Sequence, residues 1–192
     1  GTGIIDAATN NTGIGYKALT DITTGDSNTT VGYGSGESIT TAENSVIIGA
    51  VAGDAIIGGS ANTIMGYGAG GSTTAGLSMT IIGYGAGAAN LTTDAVGSVF
   101  IGHSAGGLVT SGKANVAIGY QALDAETIGD YNTAVGHQAL SAQAGIDGAV
   151  ANTAIGWNAG AKITTGTKNT AIGAESMHDG AAVITGDKNT CV

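Results

Sequence analysis

The sequence is poor in the residues on which most globular cores depend. Its 192 residues include no proline and only one Phe, one Trp and one Cys, and aromatic residues make up 4 %. A core of this size usually draws on Phe, Leu and Trp, so the composition does not indicate an ordinary packed domain. Glycine does not occupy every third position and proline is absent, which excludes collagen. The single Cys191 excludes an intramolecular disulfide and a cysteine-based metal cluster.

Charge is scarce as well. Charged residues make up 10 % of the chain, and 14 acidic residues against five lysines and no arginine give a formal net charge of −9. Low charge density with 42 % hydrophobic residues disfavours disorder. An acidic chain without arginine is poorly suited to nucleic acid or to an anionic membrane surface. The longest apolar runs fall well short of the roughly 18 residues of a membrane-spanning helix, so no membrane insertion is expected.

What the sequence does contain is one motif, similar to Asn-Thr-Ala-Ile-Gly-Tyr-x-Ala, repeated along its whole length. Neighbouring motif glycines are 17 residues apart, except for one interval of 19 and one of 20. Insertions within 88–97, 140–151 and 174–188 are therefore expected to bulge out at a turn. An eleventh copy begins at Asn189 and stops at Val192. The ten motif glycines are Gly15, Gly32, Gly49, Gly66, Gly83, Gly102, Gly119, Gly136, Gly156 and Gly173.

The positions of the motif form columns with a restricted chemistry. The residue before the glycine is always apolar, the third before it is Thr or Val, and the third after it is Ala or Ser. The residue four positions before the glycine is Asn in eight of the eleven copies. A second element, such as Ile22–Gly25 or Ile163–Gly166, follows about eight residues after the glycine. Short β-branched runs bounded by Gly and Asn predict two short strands and two turns per copy.

These columns predict an all-β fold, a β-solenoid of about eleven coils of 17–20 residues. Successive coils would stack strand over strand at about 4.8 Å, which gives a rod about 50 Å long. We expect residues 1–192 to be a single β-solenoid repeat domain. The chain begins at Gly1 without Met and stops within a motif, so we also expect it to be a segment of a longer fibre protein or a processed product.

The small residues after the motif glycine leave little side-chain volume inside a coil. A coil this thin would bury little apolar surface by itself. The apolar column before the glycine is therefore expected to face a second chain of the same sequence. We predict a homo-oligomer, most simply a trimer.

The run Asn152–Ala159, followed by Thr164–Gly166 and Asn169–Gly173, resembles the repeats of phage tail fibres and large bacterial surface proteins. It is also similar to the Ala-Ile-Gly repeats in the heads of trimeric autotransporter adhesins. The resemblance implies a left-handed parallel β-roll packed as a trimer. It also implies an extracellular location, on a cell surface or a virion, and attachment to a host-surface glycan or protein.

The column after the motif glycine is mostly aromatic or histidine. Such a row could stack against sugars and serve as a ligand site. The simpler interpretation, which we favour, is a structural ladder of rings that pack between coils. Its members are Tyr16, Tyr33, Tyr67, Tyr84, His103, Tyr120, His137 and Trp157, with Ala50 and Ala174 as interruptions.

Other polar columns do not indicate a metal, cofactor or catalytic site. The asparagines favour amide hydrogen bonds between stacked coils over metal or glycan ligation. Asp26, Asp130 and Asp187 stand in Gly-Asp-x-Asn turns, which favour solvated turns over calcium ligands. His103 and Ser104 are expected to point to opposite faces, and no orienting carboxylate is evident, so we expect no enzyme.

The sequence thus favours a structural and adhesive segment of an extracellular fibre. One alternative is the subunit of an extracellular filament that polymerises end to end, because Gly1 would complete the motif that stops at Val192. Another alternative is an ice-binding solenoid, although Val46, Val99 and Val116 interrupt its threonine column. An enzyme on this scaffold would need a carboxylate pair in a cleft, and coils this short leave few loops to build one.

Overall fold

The computed structural model describes residues 8–178 and 183–192. These residues are all-β, without a helix, and eleven of the strands form one parallel sheet in which each strand is followed by the next motif's strand. The predicted β-solenoid is confirmed, with about ten turns between its first and last strands. The strands are β1 (Thr12–Ile14), β2 (Thr29–Val31), β3 (Val46–Ile48), β4 (Thr63–Met65), β5 (Thr80–Ile82), β6 (Val99–Ile101), β7 (Val116–Ile118), β8 (Gly129–Asp130), β9 (Thr133–Val135), β10 (Gly148–Ala149), β11 (Thr153–Ile155), β12 (Thr170–Ile172) and β13 (Thr190–Cys191).

Equivalent motif positions lie directly above one another. Ile14 pairs with Val31 in the first step of the sheet. The register is unchanged across the insertions, since Ile82 pairs with Ile101 and Val135 pairs with Ile155. The extra residues are therefore absorbed outside the strands. Part of the third predicted insertion, residues 179–182, lies outside the described residues.

The prediction of two strands per coil is wrong for most coils. Outside the eleven-stranded sheet, the described residues contain only the short pair β8–β10 and an isolated bridge between Ile163 and Ile184. The second element of the motif still forms hydrogen bonds between neighbouring coils. However, the Thr40 carbonyl accepts from the amides of both Thr23 (3.1 Å) and Thr24 (3.0 Å). Several amides that converge on one carbonyl do not form a parallel strand ladder, in which the bonds between strands are evenly spaced.

The interior of the solenoid is filled more fully than predicted. The middle residue points inward in β2–β7, β9, β11 and β12, and Ile47, Ile64, Ile81 and Phe100 have no exposed surface. A large side chain on the strand is matched by a small residue opposite it in the same coil. Phe100 faces Gly106, where a Cβ would lie 2.6 Å from the ring. Where the strand residue is Ala117, the equivalent of Gly106 is the buried Leu123. In these two coils a large and a small residue are exchanged, so that both layers pack closely.

The first and third residues of the three-residue strands point outward and form a flat surface, here called the outer sheet face. Its apolar column is partly exposed: Ile14 is 59 % exposed and Ile155 is 42 % exposed. This column therefore lies outside the coil interior. The outer sheet face consists of Thr12, Thr29, Val46, Thr63, Thr80, Val99, Val116, Thr133, Thr153 and Thr170 in one column, and of Ile14, Val31, Ile48, Met65, Ile82, Ile101, Ile118, Val135, Ile155 and Ile172 in the other.

No helix in the described part of the chain is long and apolar enough to cross a membrane.

Candidate functional site

The aromatic column lies at the corner where the chain leaves each strand. The motif glycine there has a positive φ, from +115° at Gly173 to +140° at Gly32. The residue after the aromatic position is in the left-handed region, as at Lys17 (φ 60°) and Gln121 (φ 50°). This turn is repeated in every coil, so it presents each aromatic side chain at the same place on the surface.

The rings at this corner stack on one another. Tyr16 and Tyr33 form a first stack, with ring centroids 5.5 Å apart and an interplanar angle of 20°. A second stack runs through five successive coils with centroid separations of 5.4, 5.0, 5.1 and 4.9 Å, and it consists of Tyr67, Tyr84, His103, Tyr120 and His137. Trp157 lies one coil beyond His137 and is 50 % exposed. All eight predicted side chains are thus brought to one exposed edge of the rod.

Stacking restricts which ring surfaces a ligand can reach. Tyr84, His103 and Tyr120 have a ring against each face, so only their edges meet solvent. Free faces remain where a stack ends. Ala50 separates the two stacks: the Val51 amide donates to the Tyr33 carbonyl (2.8 Å) and the Gly68 amide to the Ala50 carbonyl (3.1 Å). Tyr33 and Tyr67 therefore face each other across one coil that carries no ring.

Charged groups lie next to the first stack. Lys17 Nζ is 2.7 Å from Glu37 Oε1. The hydrogen bond and the negative charge of Glu37 raise the pKa of Lys17. Burial raises the pKa of Asp54, and the charge of Glu37 adds to this effect. Lys17 and Glu37 thus form an exposed ion pair beside Tyr16 and Tyr33, and Asp54 occupies the equivalent position to Glu37 in the next coil.

His103 and Ser104 are close together, contrary to prediction. Ser104 Oγ lies 3.0 Å from His103 Nδ1. The two residues are not in a strand but in the corner turn, where Ser104 has a φ of +53°, so their side chains do not alternate. Within the described ranges, no carboxylate is hydrogen-bonded to His103, whose ring is instead held between Tyr84 and Tyr120.

The asparagine column forms the predicted ladder of amide hydrogen bonds. The side-chain oxygen of Asn115 accepts from both the backbone amide (2.9 Å) and the side-chain amide (3.1 Å) of Asn132. The side-chain nitrogen of Asn115 donates to the Gly129 carbonyl (2.8 Å). Ser45 and Ser98 replace asparagine in this column, and their hydroxyls accept from the following Asn62 and Asn115 amides. The ladder is thus a structural feature of the rod.

The aspartates of the Gly-Asp turns also connect coils. Asp26 accepts from the hydroxyl of Thr9, Asp130 from the Lys113 amide and Asp187 from the Thr167 amide. The bonds from Thr167 lower the pKa of Asp187. Among the described residues no group of three His, Cys, Asp or Glu side chains is arranged to hold a metal ion.

Two buried polar residues were not found from the sequence. Glu126 and Gln143 occupy an interior column that elsewhere holds Ile22, Ile39 and Val109. Glu126 Oε1 accepts from the amides of Thr127 (2.7 Å), Ile128 (3.1 Å) and Gly129 (2.9 Å), and from Gly145 (3.2 Å) in the next coil. The carboxylate thus fastens the second insertion to the rod. The sequence did carry a signal, because Glu126 is the one charged residue in a column that holds Ile22, Ile39 and Val109 in other coils.

The ring stack is expected to contribute a modest part of the stability. Replacing Tyr84 by alanine removes two ring contacts, which we expect to lower the free energy of unfolding by about 1–2 kcal/mol. Chemical denaturation measures this loss. Thr24→Ala, at an exposed position away from the column, serves as the control and should change stability by less than about 0.5 kcal/mol. Equal stabilities of the two variants would contradict a structural role for the stack.

The described residues thus define a parallel β-solenoid with a flat, partly apolar outer sheet face and an exposed aromatic edge. Comparison with protein-family models, with curated proteins and with solved structures finds no match to this chain. Its function is therefore argued from its own geometry.

Proposed function

We propose that this chain is a rod-forming structural and adhesive segment of an extracellular fibre, of the kind found in phage tail fibres or bacterial surface adhesins. The observation that carries the proposal is the outer sheet face. It runs along the whole eleven-stranded sheet, in unbroken register, with one of its two columns entirely apolar.

A face of this kind favours association along the rod. Large contiguous apolar patches are rare on monomeric proteins and mark association surfaces. Two flat sheet faces can pack against each other at about 10 Å, with their side chains interdigitated. The regular rise of the coils would keep such contacts in phase along the rod. We propose a side-by-side homo-oligomer, with the trimer favoured.

The stacking of the coils suits an extended rod. Each coil contacts only its neighbours, so the rod can be extended by adding coils without a new core design. The asparagine ladder and the buried Glu126 add directional bonds between coils. In a fibre, the exposed aromatic edge would remain available to a host-surface glycan or protein.

The oligomeric state tests the proposal. We expect sedimentation equilibrium to give about three times the chain mass of 18.3 kDa. The double variant Ile101→Glu/Ile118→Glu places two charges on the outer sheet face and should sediment as a monomer, because a buried unpaired carboxylate is costly. Circular dichroism should show that this variant keeps its β structure.

Thr24→Glu/Thr165→Glu is the matched control, because both threonines are exposed and belong to the second element rather than to the outer sheet face. The control should remain a trimer. A wild-type chain that is monomeric at all concentrations would contradict the proposed assembly, as would dissociation of the control.

A second candidate function, ice binding, is favoured by one observation. The outer sheet face is flat and carries threonine at seven of the ten positions of its first column, at the regular spacing of the coils. Such a row can order water. A monomeric chain that produces thermal hysteresis would favour this function over the fibre role, whereas a trimer without thermal hysteresis would reject it.

A further inference from the structure

Four of the six tyrosines stand in two pairs on the aromatic edge. Tyr16 and Tyr33 belong to neighbouring coils, and their ring centroids are 5.5 Å apart with an interplanar angle of 20°. Tyr67 and Tyr84 form the second pair, with a centroid distance of 5.4 Å and an interplanar angle of 12°. In each pair, two phenol rings are therefore direct neighbours with nearly parallel planes.

The backbone fixes each pair while the rings stay accessible. The Gly34 amide donates to the Tyr16 carbonyl (2.9 Å), and the Gly85 amide donates to the Tyr67 carbonyl (3.0 Å), so both pairs keep their register. The four rings are between 56 % and 68 % exposed. Exposed side chains change rotamer within nanoseconds. The paired rings can therefore meet through their edges as well as through their faces.

The other two tyrosines have different neighbours. Tyr120 is stacked between His103 and His137, with centroid distances of 5.1 and 4.9 Å. Tyr131 lies outside the aromatic column, and Lys113 Nζ is 5.9 Å from its ring centroid. Tyr120 and Tyr131 are 42 % and 50 % exposed. The chain thus contains an internal comparison between paired and unpaired tyrosines that are all accessible to solvent.

Paired phenols have an oxidation reaction that isolated phenols lack. A one-electron oxidant removes an electron and the hydroxyl proton from each ring, which leaves two tyrosyl radicals. The radicals couple through the ring carbons next to the hydroxyls, and the hydrogens on those carbons move to the two oxygens to restore both phenols. The product is dityrosine, with one new carbon–carbon bond. Two electrons and two protons leave the protein, and hydrogen peroxide takes them up to form two water molecules.

Proximity selects which radicals couple. Two reacting groups that are held together react in an effectively unimolecular step. This condition is met within each tyrosine pair. It is not met between Tyr33 and Tyr67, because Ala50 lies between them and two coil rises separate their positions by about 10 Å. Coupling should therefore follow the two pairs.

We infer that the aromatic edge is a site of oxidative crosslinking, at which Tyr16 couples to Tyr33 and Tyr67 couples to Tyr84 when a haem peroxidase and hydrogen peroxide act on the rod. Each crosslink joins two neighbouring coils covalently at the surface. The inference does not depend on the oligomeric state, because both partners of each bond belong to one chain.

The test treats the full chain with a haem peroxidase and hydrogen peroxide at low protein concentration. Dityrosine is measured by its fluorescence, and mass spectrometry of proteolytic peptides locates each crosslink by the loss of two hydrogen atoms. The peptides that contain Tyr16 and Tyr33 should be joined, as should those that contain Tyr67 and Tyr84. Reducing gel electrophoresis should show chains of unchanged mass, because the bonds lie within one chain.

Phenylalanine variants separate the two pairs, because phenylalanine keeps the ring but lacks the hydroxyl. Tyr33→Phe should remove the first crosslink and Tyr84→Phe the second. The double variant should yield less than about a tenth of the wild-type dityrosine. Tyr131→Phe is the matched control, since it removes one exposed tyrosine that belongs to neither pair, and it should leave the yield unchanged. Circular dichroism should show that all these variants keep their β structure.

His103→Tyr extends the test by adding a phenol between Tyr84 and Tyr120. Because the new ring would have a tyrosine on each side, Tyr120 should enter a crosslink in this variant although it enters none in the wild type. A Tyr120 that stays uncoupled in the variant would contradict the rule that neighbours in the column couple.

The crosslinks should also stabilise the rod. The oxidised wild type should unfold at a higher denaturant concentration than the oxidised double variant, because each bond restricts the unfolded chain. Three results would overturn the inference: crosslinks that form mainly between chains, a dityrosine yield that the double variant does not lower, and coupling of Tyr131 in the wild type as extensive as that of the paired tyrosines. Equal unfolding midpoints would contradict the covalent joining of neighbouring coils.

Discussion

Replacing Gly119 by alanine is expected to destabilise the solenoid by more than about 3 kcal/mol. Gly119 lies at the corner after β7, with a φ of +133° that side chains rarely adopt. A Cβ at this position would overlap the backbone carbonyl of Gly136 in the next coil. A backbone group held in the stack cannot move aside as a flexible side chain can. The variant must therefore open the contact between two coils or remain unfolded.

Denaturant unfolding followed by circular dichroism measures the effect. Gly68→Ala is the matched control, because Gly68 also has a positive φ (+61°) but nothing lies within 4 Å of its added Cβ. The control carries only the conformational cost, about 1–2 kcal/mol. If the Gly119 and Gly68 variants lost the same stability, close stacking of the motif glycines would not be the reason for their recurrence.

The second large effect is expected for Asn152→Ala, which should cost about 3–5 kcal/mol. Asn152 is fully buried, and its side-chain nitrogen donates to the Gly166 carbonyl (2.7 Å) and to Gln143 Oε1 (2.6 Å). Its side-chain oxygen accepts from the Asn169 amide (2.7 Å). Truncation leaves several polar groups buried without partners, and each of them costs about 1–3 kcal/mol.

Thermal and denaturant unfolding of Asn152→Ala should be compared with those of Asn90→Ala. Asn90 is exposed, and its side chain accepts one hydrogen bond from the hydroxyl of Thr74 (3.0 Å). We expect this control to change stability by less than about 0.5 kcal/mol. A loss below about 1 kcal/mol for Asn152→Ala would mean that the ladder contributes little to the stability of the rod.

The candidate site was predictable in its membership but not in its geometry. Recurrence after each motif glycine placed Tyr16 to Trp157 in one column, and the parallel register brings them to one edge. That the rings cover each other's faces, and that Ala50 leaves a slot between two of them, depends on the corner turn. The turn places residues such as Lys17 and Val51 in the left-handed region of backbone conformation. Neither residue type predicts a positive φ.

The hydrophobic columns were likewise predictable in their membership but not in their packing. Periodicity identified the apolar column before the glycine, and the structure places it on the outside of the coil. The single strand per coil and the filling of the interior by Ile47, Phe100 and Leu123 were not predicted. A repeat length limits how many turns fit in a coil, but the hydrogen bonds at each corner decide where a strand ends.

By itself, the sequence determined the period of the repeat, the residues that share a column and the all-β stacking. A repeat of constant length places equivalent residues above one another whatever the shape of the coil. Only the tertiary structure decided which columns face the interior, which form the outer sheet face and where the ring stack is interrupted. Those properties depend on backbone torsions and on complementary volumes across a coil, and neither is specified by periodicity.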